Sequence, residues 1–363
     1  MKKISKIFGL GILSLAALSC TKVSPLGPGQ PDSPTISIAA DVPATKGFLD
    51  GSFPTGSQIT VYDWLDVASG TDSYHMSNVG VKYNGPNNKD WQYTETDAQY
   101  YWVDGTHNFF GWMTDEGTGA DSDPTSYSSL WSFNSTTKIL KVDYTFTPST
   151  PIYDFVYSDI VSVPYSKGNT PTPDMVMLDM KHLFTAISFG VENKTEDDVK
   201  INSFHVAKLK NKCYAEIDYS GTNVRVDLKN KSNEYPVGTE YWNSLSSPYT
   251  LAGNSSTDNI FVGPDAGISY DIIWPQDAND VHFGGTPIKD ANGNVTYPQE
   301  WMMSINYTME GKPQTKKIDF PNVSWEAGKK YHFVLNINPI QTVTIKYIVT
   351  DWDNRTVDVP AFN

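Results

Sequence analysis

An all-β protein is what the sequence predicts, and three observations predict it. Apolar and polar side chains alternate with a period of two from Thr35 almost to the C-terminus. Aromatic residues make up 13% of the chain, with 10 Trp and 21 Tyr, alongside abundant Thr, Ser, Asn and Val and sparse Ala and Leu. No segment of comparable length repeats its apolar residues at helical spacing.

The strands read off in order. Ile36, Ile38, Ala40 and Val42 form the first, Ile59 and Val61 the next, and Leu140, Val142, Tyr144 and Phe146 a clear half-buried one with Lys141, Asp143 and Thr145 opposite. The pattern continues through Leu183 to Val191, Val224 to Leu228 and Ile268 to Trp274. It ends with Trp301 to Met309, Tyr331 to Ile337 and Val343 to Val349. Asn292-Gly293 and Glu310-Gly311 supply turn chemistry between strand-like runs. Packing two sheets face to face is the simplest way to bury one face of so many strands, so β-sandwiches are expected.

Length and composition bound the rest. The 363 residues suit two domains rather than one. A Pro-rich stretch from Pro164 to Pro173 places the expected boundary after residue 175, giving units 35–175 and 176–363. A net charge of -14 repels phosphate backbones, so nucleic acid is not an expected partner.

The N-terminus is organised for export. Lys2, Lys3 and Lys6 precede an apolar run, Ile7 to Leu18, that is too short to span a bilayer. Ala17-Leu18-Ser19-Cys20 resembles the lipobox of bacterial lipoproteins, in which the signal peptide, here 1–19, is removed and the cysteine sulfur takes a diacylglycerol. The other reading is ordinary signal cleavage with Cys20 a bystander. Acyl chains contribute about 0.8 kcal/mol per buried methylene, so several make an essentially permanent anchor. Residues 20–34 are rich in Pro, Gly and Ser and read as a tether. With Cys20 acylated, Cys213 is left alone, which excludes a disulfide framework and a cysteine metal site.

Signals for chemistry are weak. The six histidines are scattered, with no His-x-x-x-His pair, and no Gly-x-Ser-x-Gly elbow, Walker loop or dinucleotide fingerprint is present. No catalytic residue, cofactor or metal site is therefore expected. Asp290 to Asn294 has the look of a calcium loop but has Val295 where glycine belongs and Trp301 where glutamate belongs, so a hairpin turn is the better reading. Asp351 and Asp353 end a strand and read as a solvated turn. Trp91, Trp102, Trp112 and Trp131 read as core or cross-strand aromatics, with a sugar-stacking platform as the alternative. A glycosidase carboxylate pair is a spatial arrangement that sequence spacing does not fix.

Four segments together resemble the fimbrillin family, two-domain pilus subunits exported as lipoproteins in Gram-negative anaerobes. They are Phe53 to Tyr62; Trp91-Gln92-Tyr93 with Tyr100 to Gly105 and Phe109 to Trp112; His182 to Val191; and Trp325 to Tyr331 with Trp352. The resemblance implies two transthyretin-like β-sandwich domains in tandem behind the signal and tether. It also implies a non-enzymatic adhesive or structural subunit of a fimbria at the outer membrane, partnered by other subunits and by ligands on host or bacterial surfaces. A stand-alone glycan-binding lipoprotein is the alternative.

Family assembly further implies that a protease cuts after a basic residue and frees the first strand. Lys46, followed by Gly47, occupies that position here, and the detachable strand is Ile36, Ile38, Ala40 and Val42. Lysine stands where the family usually has arginine. The vacated edge would receive a neighbour's strand by β-augmentation. The C-terminal Val357 and Val359 alternate correctly for a donor, and completing their own domain's sheet is an equal reading. Pro360 restricts that segment to an edge.

Overall fold

The computed structural model describes residues 33–41, 53, 55–68, 73–85, 91–95, 98–115, 130–146, 154–206, 209–232, 245, 247–264, 267–268, 270–277, 288–289, 295–296, 303–318, 323–351 and 356–358. Every regular element among them is a strand. In chain order these are β1 (Ile38–Asp41), β2 (Gln58–Asp66), β3 (Ser73–Tyr83), β4 (Trp91–Tyr93), β5 (Gly105–Asp115), β6 (Trp131–Asn134), β7 (Ile139–Thr145) and β8 (Asp154–Ser158). There follow β9 (Val161–Tyr165), β10 (Val176–His182), β11 (Thr185–Asn193), β12 (Val199–Val206), β13 (Lys212–Asp218), β14 (Arg225–Ser232), β15 (Tyr249–Leu251) and β16 (Ser256–Thr257). The last are β17 (Asp271–Ile273), β18 (Ile288–Lys289), β19 (Val295–Thr296), β20 (Met303–Met309), β21 (Lys312–Ile318), β22 (Lys329–Ile337), β23 (Val343–Asp351) and β24 (Thr356–Asp358). The protein is all-β, as its alternation predicts.

The largest sheet has the order β1-β10-β8-β5-β2-β3-β4, with β9 also on β5. A six-stranded sheet runs β16-β11-β22-β23-β24 with β17 on β11, and a four-stranded one runs β15-β12-β20-β21. The sheet β14-β13-β7-β6 joins the two halves of the chain, because Lys212 to Asp218 pairs with Thr145 to Ile139. The sheets therefore cross the division expected after residue 175: β10 lies in the N-terminal sheet, and β13 and β14 complete β6 and β7. Pro164 sits inside β9 opposite Thr106, so the Pro-rich stretch begins within a strand. Local composition registers its missing N–H but not which strands meet across it.

The central strands β2 and β5 are buried on both faces. Ile59, Val61, Phe109 and Met113 enter one apolar cluster, whereas Tyr62, Phe110 and Trp112 enter another that continues into the C-terminal half. That double burial explains the unbroken run Phe109-Phe110-Gly111-Trp112-Met113, which a strand solvated on one face would interrupt with polar residues. Gly111 is small for a reason, since a Cβ there would meet the Thr60 carbonyl oxygen at 2.7 Å. At Glu310-Gly311 both residues have positive φ, 49° and 71°, the backbone of a two-residue hairpin between β20 and β21.

Two Asp–His pairs are sealed into this interior. Asp154 Oδ2 accepts from His182 Nδ1 at 2.7 Å, and Asp63 Oδ2 accepts from His107 Nδ1 at 2.5 Å; all four side chains are buried. Removing one partner of such a pair leaves the other desolvated and alone. Asp154→Ala is expected to cost about 3–5 kcal/mol, read as a lower urea midpoint with an unchanged m-value. Gly111→Ala is expected to cost about 1–3 kcal/mol by pressing on β2, and a melting temperature equal to the parent's would refute the close-approach argument.

Candidate functional site

The site is the end of the large sheet where β1 closes the apolar cluster. Its lead-in is fastened on one side and β1 itself on the other. Trp102 N donates to Pro34 O at 3.1 Å, Ile36 N donates to Tyr100 O at 2.8 Å, and Thr35 bridges Tyr101. Tyr93 Oη adds a bond to Ile36 O at 2.8 Å. The ribbon then changes partners: Val176 N donates to Ser37 O at 2.8 Å, and Ile38 to Asp41 run parallel to Val176 to Asp179 of β10. The second half of β10, Met180 to His182, pairs with β8 instead. Among the described strands β1 is thus terminal in its sheet, with β4 of the opposite end brought close to it. The sheet is rolled, and residues 34–41 bridge its two ends.

Burial shows what the ribbon does. Ile36, Ile38, Ala39 and Ala40 are each at most 2% exposed and join Val61, Met76, Trp102, Phe109, Leu178 and others in one cluster. Alternation predicts Ile36, Ile38 and Ala40 inward; Ala39 is buried as well, so the strand is covered on both faces over its middle. Burying the two isoleucines contributes about 1.5–3 kcal/mol each, and each of the fastening hydrogen bonds about 0.5–1.5 kcal/mol.

The segment that clasps the lead-in is itself tied from within. His75 Nε2 lies 3.0 Å from Tyr101 O and His107 Nε2 lies 3.0 Å from Val103 O. Because a carbonyl oxygen only accepts, the His75 imidazole donates from Nε2; His107 Nε2 also lies 3.5 Å from Val103 N, which donates to it. His107 also faces Asp63 through Nδ1, and the second oxygen of Asp63 accepts from Asn108 N at 3.2 Å. The His75 and His107 ring centroids are 5.3 Å apart. Burial holds the His75 pKa below its ordinary value; Asp63 opposes that, His107 adds to it, and the Tyr101 carbonyl opposes it.

Backbone irregularity aims His75 at this target. The β2–β3 register pairs Val61 with Val79, Asp63 with Met76 and Trp64 with Tyr74, so β3 carries an extra residue near Ser77-Asn78 and another at His75. Asn78 adopts φ 56°. Bulges of this kind turn a side chain out of strict alternation. Neither histidine was singled out by sequence reasoning, and the available signal was faint: two polar residues amid runs of core aromatics.

The other sequence-predicted positions fall as follows. Cys20, Val42, Lys46, Gly47 and Val359 lie outside the described residues. Val357 lies in β24, paired with Val349 of β23, so its segment edges its own domain's sheet. Trp91, Trp102 and Trp112 are buried, and Trp131 is half-buried in β6, so these four rings form core rather than an exposed platform. Residues 290–294 lie outside the described residues; β18 and β19 on either side of them pair antiparallel. Asp351 is paired with Lys329 at 2.9 Å. Cys213 is buried. Among the described residues no group of three His, Cys, Asp or Glu is placed to hold a metal.

Comparisons with known proteins follow this geometry. A search of solved structures finds a Bacteroides uniformis protein provisionally assigned to cell adhesion, at 12% identity and TM-score 0.44, covering 88% of this chain and 99% of that one. It also finds the tip fimbrial protein Mfa3 from Porphyromonas gingivalis, at 12% identity and TM-score 0.39, covering 88% of this chain and 100% of that one. The fimbrial anchor protein Mfa2 from the same organism aligns at 8% identity and TM-score 0.28, covering 90% and 100%. No curated protein matches the chain. The family model described as fimbrillin-like matches residues 44–352. A match over that much of the sequence shows that this chain belongs to the fimbrillin-like family.

Proposed function

We propose that the protein is a structural or adhesive subunit of a cell-surface fimbria, anchored in the outer membrane through lipid on Cys20 and assembled by strand exchange at β1. Family membership supports the fimbrial part of this reading. One observation carries the strand-exchange part: a ribbon at the end of its sheet buries Ile36, Ile38, Ala39 and Ala40 almost completely. Its departure leaves an apolar gap and an unpaired edge on the first half of β10, which is the template a donor strand needs. The β1–β10 pairing is parallel, the slightly weaker arrangement per residue.

Covalent connection is what keeps the ribbon in place. While it is joined to the rest of the chain its effective concentration is of order millimolar or higher, and a free donor strand at dilute concentration loses the competition. Cleavage between Lys46 and Gly47 removes that advantage. The donor would come from another subunit, and the C-terminal segment of a second copy is the candidate within this sequence. Val357 and Val359 repeat the spacing of Ile36 and Ile38, with Ala361 falling at the position of Ala40.

Trypsin cleavage after Lys46 is expected to convert monomer into a laddered polymer on denaturing gels run without boiling, and Lys46→Gln is expected to abolish the ladder. Trimmed protein that stays monomeric at high concentration would refute assembly by this route. Intact mass of protein extracted from outer membranes is expected to show a chain beginning at acylated Cys20. A mass matching an unmodified N-terminus would remove the anchor.

A further inference from the structure

Strand exchange at β1 leaves open which strand comes in, and the backbone of the resident ribbon narrows the choice. Along an extended chain, successive residues turn their N–H and C=O groups to opposite edges. Ile36 turns toward the clasp, its N–H donating to Tyr100 O and its carbonyl accepting from Tyr93 Oη. Ser37 and Ala39 turn toward β10. Val176 N donates to Ser37 O at 2.8 Å, and Ile38 stands level with Val176. In a parallel ladder of that register the next two bonds fall on Ala39, whose N–H donates to Val176 O and whose carbonyl accepts from Leu178 N. Ala39 is therefore fastened to β10 by both of its backbone groups.

Side chains add a second requirement. Ile36, Ile38 and Ala40 alternate into the apolar cluster, and Ala39 and Ala40 are fully buried. Extra methylenes in a packed site push its neighbours out of place. An incoming strand must thus offer aliphatic residues at the places of Ile36 and Ile38, small ones at those of Ala39 and Ala40, and an N–H at Ala39.

This chain's own C-terminus meets all of these but one. With Val357 and Val359 at the places of Ile36 and Ile38, Ala361 falls at Ala40 and Pro360 at Ala39. Proline has no N–H, so the Val176 carbonyl is left without that donor, and its ring is larger than a methyl group. Sliding the segment by one residue sends Asp358 inward, and by two puts Asp358 or Phe362 where Ala39 stands. We propose that the groove vacated by β1 takes the donor strand of a different subunit, one with small residues that keep their N–H at the places of Ala39 and Ala40, and that Pro360 holds this chain's own C-terminus back from the same groove. A mismatch at one position suffices to favour the foreign strand over a second copy.

The inference rests on the strand-exchange reading, and the experiment tells the failure of one from the failure of the other. Protein trimmed after Lys46 is mixed with excess fluorescent peptide of the sequence Thr35 to Asp41, which stands in for a foreign donor, and uptake is read by anisotropy and native mass. The peptide is expected to replace the released ribbon and to suppress the ladder. Ala39→Pro and Ala40→Leu peptides are expected to bind about tenfold more weakly or worse. A peptide of Thr356 to Phe362 is expected to bind about tenfold more weakly than its Pro360→Ala form, and trimmed protein carrying Pro360→Ala to form its ladder at about tenfold lower concentration than the trimmed parent. Equal uptake of the Ala39→Pro and Ala40→Leu peptides, or no gain from Pro360→Ala, overturns the selection and leaves strand exchange standing. Trimmed protein that takes up none of the peptides overturns both.

Discussion

The large sheet of this protein has an apolar face that is closed by its own terminal strand β1 and the residues leading into it, and the physical constraint on the whole N-terminal half is how that face is kept from water. Ile59, Val61, Met76, Val81, Phe109 and Met113 supply the surface. Rolling the sheet brings its two ends together, and a ribbon of eight residues, 34–41, spans the remaining gap. Hydrophobic burial provides most of the holding energy and is indifferent to which chain provides the isoleucines. Specificity of closure is left to backbone bonds at Pro34, Ile36 and Ser37 and to the pairing of β1 with β10.

The interior is otherwise built against change. Gly111 admits no Cβ against Thr60, and stacked Tyr62, Phe110 and Trp112 pack on Tyr219 from beyond the expected division of the chain. Pairing of β7 with β13 ties the halves by a backbone ladder as well as by side chains. The ribbon at the sheet's end, by contrast, is joined to the rest through its backbone bonds to residues 100–102 and its pairing with β10.

Much of this was legible in the sequence because the physics is local. Period-two alternation in Leu140 to Phe146 or Tyr331 to Ile337 follows from the strand backbone alone, and Glu310-Gly311 adopts the positive φ its turn demands. The first strand was legible for the same reason, through Ile36, Ile38 and Ala40. What alternation does not encode is partnership. That Lys212 to Asp218 would pair with residues seventy positions earlier, or that β10 would divide itself between β1 and β8, depends on loop closure and packing over long separations. Pro164 lies inside β9, and its missing N–H reads alike in a linker and along the edge of a sheet.

Asp63, His75 and His107 were illegible for a further reason. A charged residue in an alternating strand reads as solvent-facing, and a bulge that shifts the register at Asp63 and again at His75 defeats the count on which that reading depends. Burying Asp63 and His107 together is costly, and an apolar pair of similar volume would often serve stability as well or better. The polar alternative fixes something an apolar pair does not: the carbonyls of Tyr101 and Val103 are held in defined directions, which in turn presents Tyr100 O and Trp102 N to the ribbon. The buried pair is thus best understood through the geometry it imposes on the clasp, whose aromatic residues Tyr100, Tyr101 and Trp102 are among those that carry the family resemblance.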